Sequence, residues 1–102
     1  MRRERRRRGR RGRMPTPVFI GKQPPAEAFD PQPSSEKPPV LLEPAEVEAF
    51  RLVDVEGLSQ EEAGERMGVS RGTVWRLLQE ARRKTAQALT EGRRIQISSG
   101  QP

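Results

Sequence analysis

From residue 74 onward the apolar positions recur with the period of an α-helix. At about 100° per residue, Leu77, Leu78, Ala81, Thr85 and Ala88 all lie within about 60° of Val74, forming one continuous stripe. The opposite arc carries Gly72, Arg76, Gln79 and Arg83. No breaker interrupts Thr73 to Glu91, so this pattern predicts a long helix with a buried stripe and a polar outer face. Two shorter helices are predicted ahead of it. Pro44 suits a first helical turn because its missing N–H would be unsatisfied there anyway, and Glu46 and Glu48 are favourable near the positive end of the helix dipole. Val47, Phe50 and Leu52 or Val53 give that segment an apolar side, and Gly57 is expected to stop it near Glu56. The next helix, Gln60 to Met67, turns Ala63, Gly64 and Met67 inward. Small residues there are expected to admit another backbone, since an unneeded helical glycine costs about 1 kcal/mol relative to alanine.

Polar residues place the helix boundaries. Ser59 and Glu62 have the spacing of a capping box, in which each side chain accepts the other's backbone N–H. Ser70 offers a second N-cap, and Gly68 stands where the earlier helix must stop in a conformation that a Cβ penalises. Two helix starts separated by one tight turn make up the local grammar of a helix-turn-helix, whose second helix enters the major groove of duplex DNA. On that helix Arg76 suits a bidentate contact to guanine and Gln79 one to adenine. Gly72 would let the helix start approach the DNA backbone closely. Arg82, Arg83 and Lys84, two to three turns further along, are expected to neutralise phosphates. Trp75, on the flank between stripe and outer arc, is expected to be partly buried at the domain edge.

The flanks have a different pattern. Residues 14–39 are rich in proline, with nine of the ten prolines between Pro15 and Pro44, and are predicted to be extended and without a core of their own. Their large apolar side chains, Val18, Phe19, Ile20 and Phe29, are expected to dock on the helical body. At the other end, within residues 93–102, Arg94–Ser98 alternates like a short strand. Pairing it with residues 17–20 would bury Val18, Ile20, Ile95 and Ile97 together. Only about residues 40–92 read as a folded domain, close to the lower size limit for one that folds alone, so a homodimer is expected to help.

Charge changes the picture once it is divided along the chain. Of the net +6, residues 1–13 contribute +8 through nine arginines and one glutamate, so the remaining 89 residues sum to −2. Within that body, residues 43–56 sum to −4 and residues 71–94 to +5, which puts positive charge on the last helix. The arginine run fails as a targeting segment, because only Val18, Phe19 and Ile20 follow where an apolar stretch of about 7 to 15 residues is needed. Two readings stay open for it: a disordered arm that tracks phosphates, or an extension ahead of a true start at Met14. The absence of cysteine and histidine excludes disulfides, thiolate zinc sites and histidine-based acid–base catalysis. Neither an enzymatic activity nor a cofactor or metal is expected, and the location expected is cytoplasmic and nucleoid-associated.

The words Asp54-Val55-Glu56-Gly57-Leu58-Ser59, Gly68-Val69-Ser70, Gly72-Thr73-Val74 and Ala81-Arg82-Arg83-Lys84 resemble the promoter-reading region 4 of bacterial sigma factors. From Met14 onward the chain is similar to a family of small uncharacterised prokaryotic proteins predicted to bind DNA through such a domain. Met14-Pro15-Thr16-Pro17 and the stretch from Gly92 to Ile97 match that family's ends. The resemblance implies that Ser70, Arg71, Gly72, Thr73, Trp75, Arg76 and Gln79 occupy the DNA-facing turn and helix. Trp75 and Gly72 depart from the family pattern, so a target site cannot be carried over. The expectation is a small all-α, three-helix domain that binds double-stranded DNA and regulates transcription. The alternatives are a module that docks on RNA polymerase or a regulator, and nonspecific nucleic-acid binding through the arginine run. No membrane partner is expected.

Overall fold

In the computed structural model, which describes residues 17–98, all three helices form between the expected signals. The arginine run and the Met14 start lie outside the described residues. Helix α1 (Pro44–Phe50) continues into a wider, π-helical stretch, Arg51–Val55, where Glu56 N–H donates to the Arg51 carbonyl at 2.9 Å. Gly57, at φ 79°, ends it. Helix α2 (Gln60–Met67) and helix α3 (Arg71–Glu91) follow, and α3 terminates at the left-handed Gly92. Among the described residues, no helix is long and apolar enough to cross a membrane.

The core lies where the three helices meet. Leu52, Met67, Val74 and Leu78 are fully buried, and Ala49 and Ala63 join them. Leu77 packs against this cluster from the edge of the α3 stripe, while Ala81 and Ala88 continue the stripe toward the helix end. Val18 docks on the same cluster, whereas Phe19 and Phe29, expected to dock with it, keep 69% and 60% of their surface exposed.

The expectation of an all-α fold is corrected by a three-stranded sheet. Strands β1 (Ala28–Phe29), β2 (Val40–Leu42) and β3 (Ile95–Ile97) are arranged in the order β1-β3-β2, with β1 antiparallel and β2 parallel to the central β3. Residues 94–98 are a strand as expected, but their partners are not residues 17–20. Both edges of β3 are taken: Ile97 N–H donates to Glu27 O on one side, and Ser98 N–H to Leu42 O on the other, each at 2.8 Å. Val40 and Leu42, each 5% exposed, turn into the core while Leu41 faces out, an alternation that sheet pairing requires of a half-buried strand. Residues 17–21 instead run along the helices. Phe19 N–H donates to the last-turn carbonyl of Met67 at 3.0 Å, and Gly21 N–H to Glu48 Oε2 at 2.8 Å.

The acidic residues of α1 also do more than favour its dipole. Glu46 and Glu48 are buried, and burial of a carboxylate is tolerable only with charged or hydrogen-bonding partners. Glu46 accepts from Glu43 N–H and, through both oxygens at 3.0 Å, from Lys84 Nζ on α3. Glu48 holds the Arg51 guanidinium, which also reaches Glu56. The hydrogen bonds that Arg51 donates to Glu48 raise its pKa above the ordinary value.

Candidate nucleic-acid interface

The turn between α2 and α3 is built from backbone requirements. Ser59 Oγ accepts Glu62 N–H at 3.0 Å and Glu62 Oε1 accepts Ser59 N–H at 2.9 Å, which closes the first turn of α2. The backbone hydrogen bond from Ser59, reinforced by its hydroxyl, holds the Glu62 carboxyl below the usual glutamate range. At the other end Gly68 adopts φ 72°, and Val69 N–H returns to Gly64 O at 2.9 Å. A Cβ on Gly64 would stand 2.7 Å from the Val69 carbonyl oxygen. The close approach expected at Gly64 is therefore real, but it is made by the turn itself. Ser70 Oγ then accepts Thr73 N–H at 3.1 Å and bonds the Thr73 hydroxyl at 3.1 Å, which fixes the start of α3.

Past this cap, Arg71, Gly72, Trp75, Arg76 and Gln79 are all exposed. Trp75 keeps 53% of its surface in solvent, so the edge of the domain covers it less than expected. The nearest atom to a Cβ built on Gly72 is Ser70 Oγ at 3.9 Å, so packing within the chain does not require glycine there. Among the described residues, neither Arg71 nor Arg76 forms an ion pair.

The next basic residues are placed differently. Arg82 makes a two-pronged bridge to Asp54, at 2.8 and 3.0 Å, and so joins α3 to the π-helical stretch. This hydrogen bond holds the Asp54 carboxyl below its ordinary range and raises the Arg82 pKa. Arg83 pairs with Glu80 one turn back at 2.8 Å, and Lys84 is committed to buried Glu46. Arg93 and Arg94 bridge to Glu91 and Asp30. The structure thus brings Ser70, Arg71, Gly72, Trp75, Arg76 and Gln79 to the exposed side of the turn and α3, leaves Thr73 half-buried in the cap, and gives Arg82 and Arg83 carboxylate partners of their own.

Two residues enter the site that periodicity alone did not nominate. Val18 and Glu65 line a shallow groove with Gly64, Val69, Thr73 and Arg76. The signal for Val18 was the isolated apolar triplet Val18-Phe19-Ile20, whose docking place local pattern does not specify. Glu65 adds an acidic side chain to the groove that Arg76 also lines. Among the described residues, no group of three or more acidic side chains is arranged to hold a metal ion.

A family model described as protein of unknown function DUF134 matches residues 1–101. A UPF0251 protein of Thermococcus kodakarensis is 57% identical over 82 residues, covering 80% of this chain and 66% of that protein. One of Pyrococcus furiosus is 64% identical over 61 residues, covering 60% of this chain and 56% of the relative, so the chain spans less than two thirds of either. A UPF0251 protein of Archaeoglobus fulgidus is 47% identical over 90 residues, covering 88% of this chain and 86% of its own length. No solved structure matches.

Proposed function

The chain belongs to the DUF134 family of proteins of unknown function, and we propose that it is a sequence-specific duplex-DNA-binding protein that regulates transcription. In this reading α2, the turn at Gly68–Ser70 and α3 act as a helix-turn-helix resembling sigma region 4, and the first half of α3 enters the major groove. The observation that carries it is the distribution of unpaired charge along α3. Arg71 and Arg76, the cations of α3 nearest the turn, are exposed and have no carboxylate partner among the described residues. Those further along, Arg82, Arg83 and Lys84, are each held by a carboxylate. Free guanidinium groups beside an exposed Gln79 supply the donors and acceptors that base edges require, while Ser70 and Thr73 serve chiefly to cap the helix. Arg82 and Arg83 would take a supporting part with phosphates only by exchanging their present partners.

Docking on RNA polymerase or a regulator through an acidic first helix has less support. Glu46 and Glu48 are buried, and Asp54 and Glu56 are already bridged to arginines, so little acidic surface is left for a partner. Selection of bound sequences from random duplex DNA tests the reading. A defined site is expected, and Arg76→Ala should relax one base position and cost about 1–3 kcal/mol of discrimination there. No enrichment of any sequence by the full chain would reject sequence-specific binding.

A further inference from the structure

Trp75 is the one tryptophan of the chain, and base contacts by Arg76 and Gln79 leave it without a part. Its indole keeps 53% of its surface in solvent. A single exposed apolar side chain is ordinary on a protein surface. This one is set apart by its neighbours. Arg71 lies one turn before it and Arg76 beside it, both exposed and without a carboxylate partner among the described residues. Gly72 stands three residues before it and Gln79 four residues after it, so the three share one face of α3. Long helical side chains lean toward the preceding turn, where Gly72 has no side chain to cover the indole. The ring itself makes no stacking or cation–π contact among the described residues.

These surroundings restrict what can cover the ring. Two free guanidinium groups favour an anionic partner, and the indole requires an apolar feature on that partner. Duplex DNA offers the two together. Its base faces are stacked on one another, so a side chain in the major groove meets only base edges, and the apolar group on those edges is the C5-methyl of thymine. We propose that Trp75 is a specificity-determining residue that packs on a thymine C5-methyl in the major groove. The inference rests on the duplex-DNA reading and adds to it a base preference that no hydrogen-bonding side chain supplies.

The test takes the site recovered from random duplex DNA with the full chain and replaces its thymines one at a time with deoxyuridine. That change keeps every base-pair hydrogen bond and removes only the methyl group. At one or more positions the parent should lose affinity about fourfold, the worth of one buried methyl-sized group. Trp75→Ala should bind the thymine site more weakly and lose nothing further on the change to deoxyuridine. Alanine is the best helix former and the position is half exposed, so this variant should fold, which circular dichroism checks. The parent's indole emission gives a second measurement that needs no variant: it should shift to the blue with the thymine duplex, and less with the deoxyuridine duplex. A defined site without thymine, or one whose methyl groups the parent does not sense, overturns the inference and leaves sequence-specific binding standing. An equal methyl effect in the parent and in Trp75→Ala overturns it too. Trp75→Ala binding as tightly as the parent assigns the indole to another partner, a second copy or an acidic protein, with the same result. No enrichment of any sequence rejects the DNA reading itself, and this inference with it.

Discussion

Gly64 and Gly72 stand eight residues apart in neighbouring helices, and adding one methyl group should move them in opposite directions. Helix propensity alone favours alanine at both by about 0.5–1 kcal/mol. At Gly64 that gain is overridden, because the new Cβ would sit 2.7 Å from a backbone carbonyl oxygen that the turn holds in place. Gly64→Ala is therefore expected to destabilise the fold by about 1–3 kcal/mol, as overpacking typically does. At Gly72 nothing lies closer than 3.9 Å, so Gly72→Ala should raise stability. The same methyl group stands on the surface proposed to meet DNA, and weaker DNA binding by a more stable protein is the expected outcome. Urea unfolding and duplex titration on each variant measure the two effects. Gly64 was legible as a close-packing residue because Ala63 beside it is also small. Its neighbour was not, because a turn carbonyl leaves no mark in the apolar pattern.

Among the elements, α3 is tied to α1 and its π-helical extension by two ion pairs of different burial. Glu46 is 5% exposed and bonded by both oxygens to Lys84, so removing the lysine leaves a buried carboxylate uncompensated. Lys84→Met is expected to cost about 3 kcal/mol, and Glu46→Gln in the same chain should recover much of it. Denaturant unfolding of the single and double variants checks this. The Asp54–Arg82 bridge lies nearer the surface. Arg82 lowers the Asp54 pKa, so the bridge contributes stability fully above about pH 4, the range of an unperturbed aspartate, and loses it as pH falls through the lowered value. Asp54→Asn should lower the thermal midpoint at neutral pH and flatten its fall in acid. These pairs explain why the charge pattern was only half legible. The surplus on residues 71–94 is plain in the sequence, but which charges cancel depends on partners 28 and 38 residues away. Helix boundaries fared better, because the caps at Ser59 and Ser70 are decided within a few residues.

Across the whole molecule, β3 joins the two flanks, and its pairing was the least legible part of the fold. Arg94–Ser98 alternates visibly, but Val40-Leu41-Leu42 has no polar position to betray a strand, and a parallel partner more than fifty residues away is set by the crossover, not by local sequence. A chain ended after Gly92 should lose the sheet while keeping α2 and α3. Re-exposing Val40 and Leu42 would cost on the order of 3 kcal/mol, read as amide protection lost at residues 40–42 before the helices melt. The opposite flank has a practical consequence. Phe19 N–H is clasped to Met67 O, beside the turn that starts α3, and Val18 lines the same groove as Ser70 and Arg76. Gly92 lies at the far end of a 21-residue helix, roughly 30 Å away at 1.5 Å per residue. A fluorophore carried at Val18 or Phe19 would crowd the surface it is meant to report on, whereas one at Leu89, 76% exposed near the far end of α3, leaves that surface open.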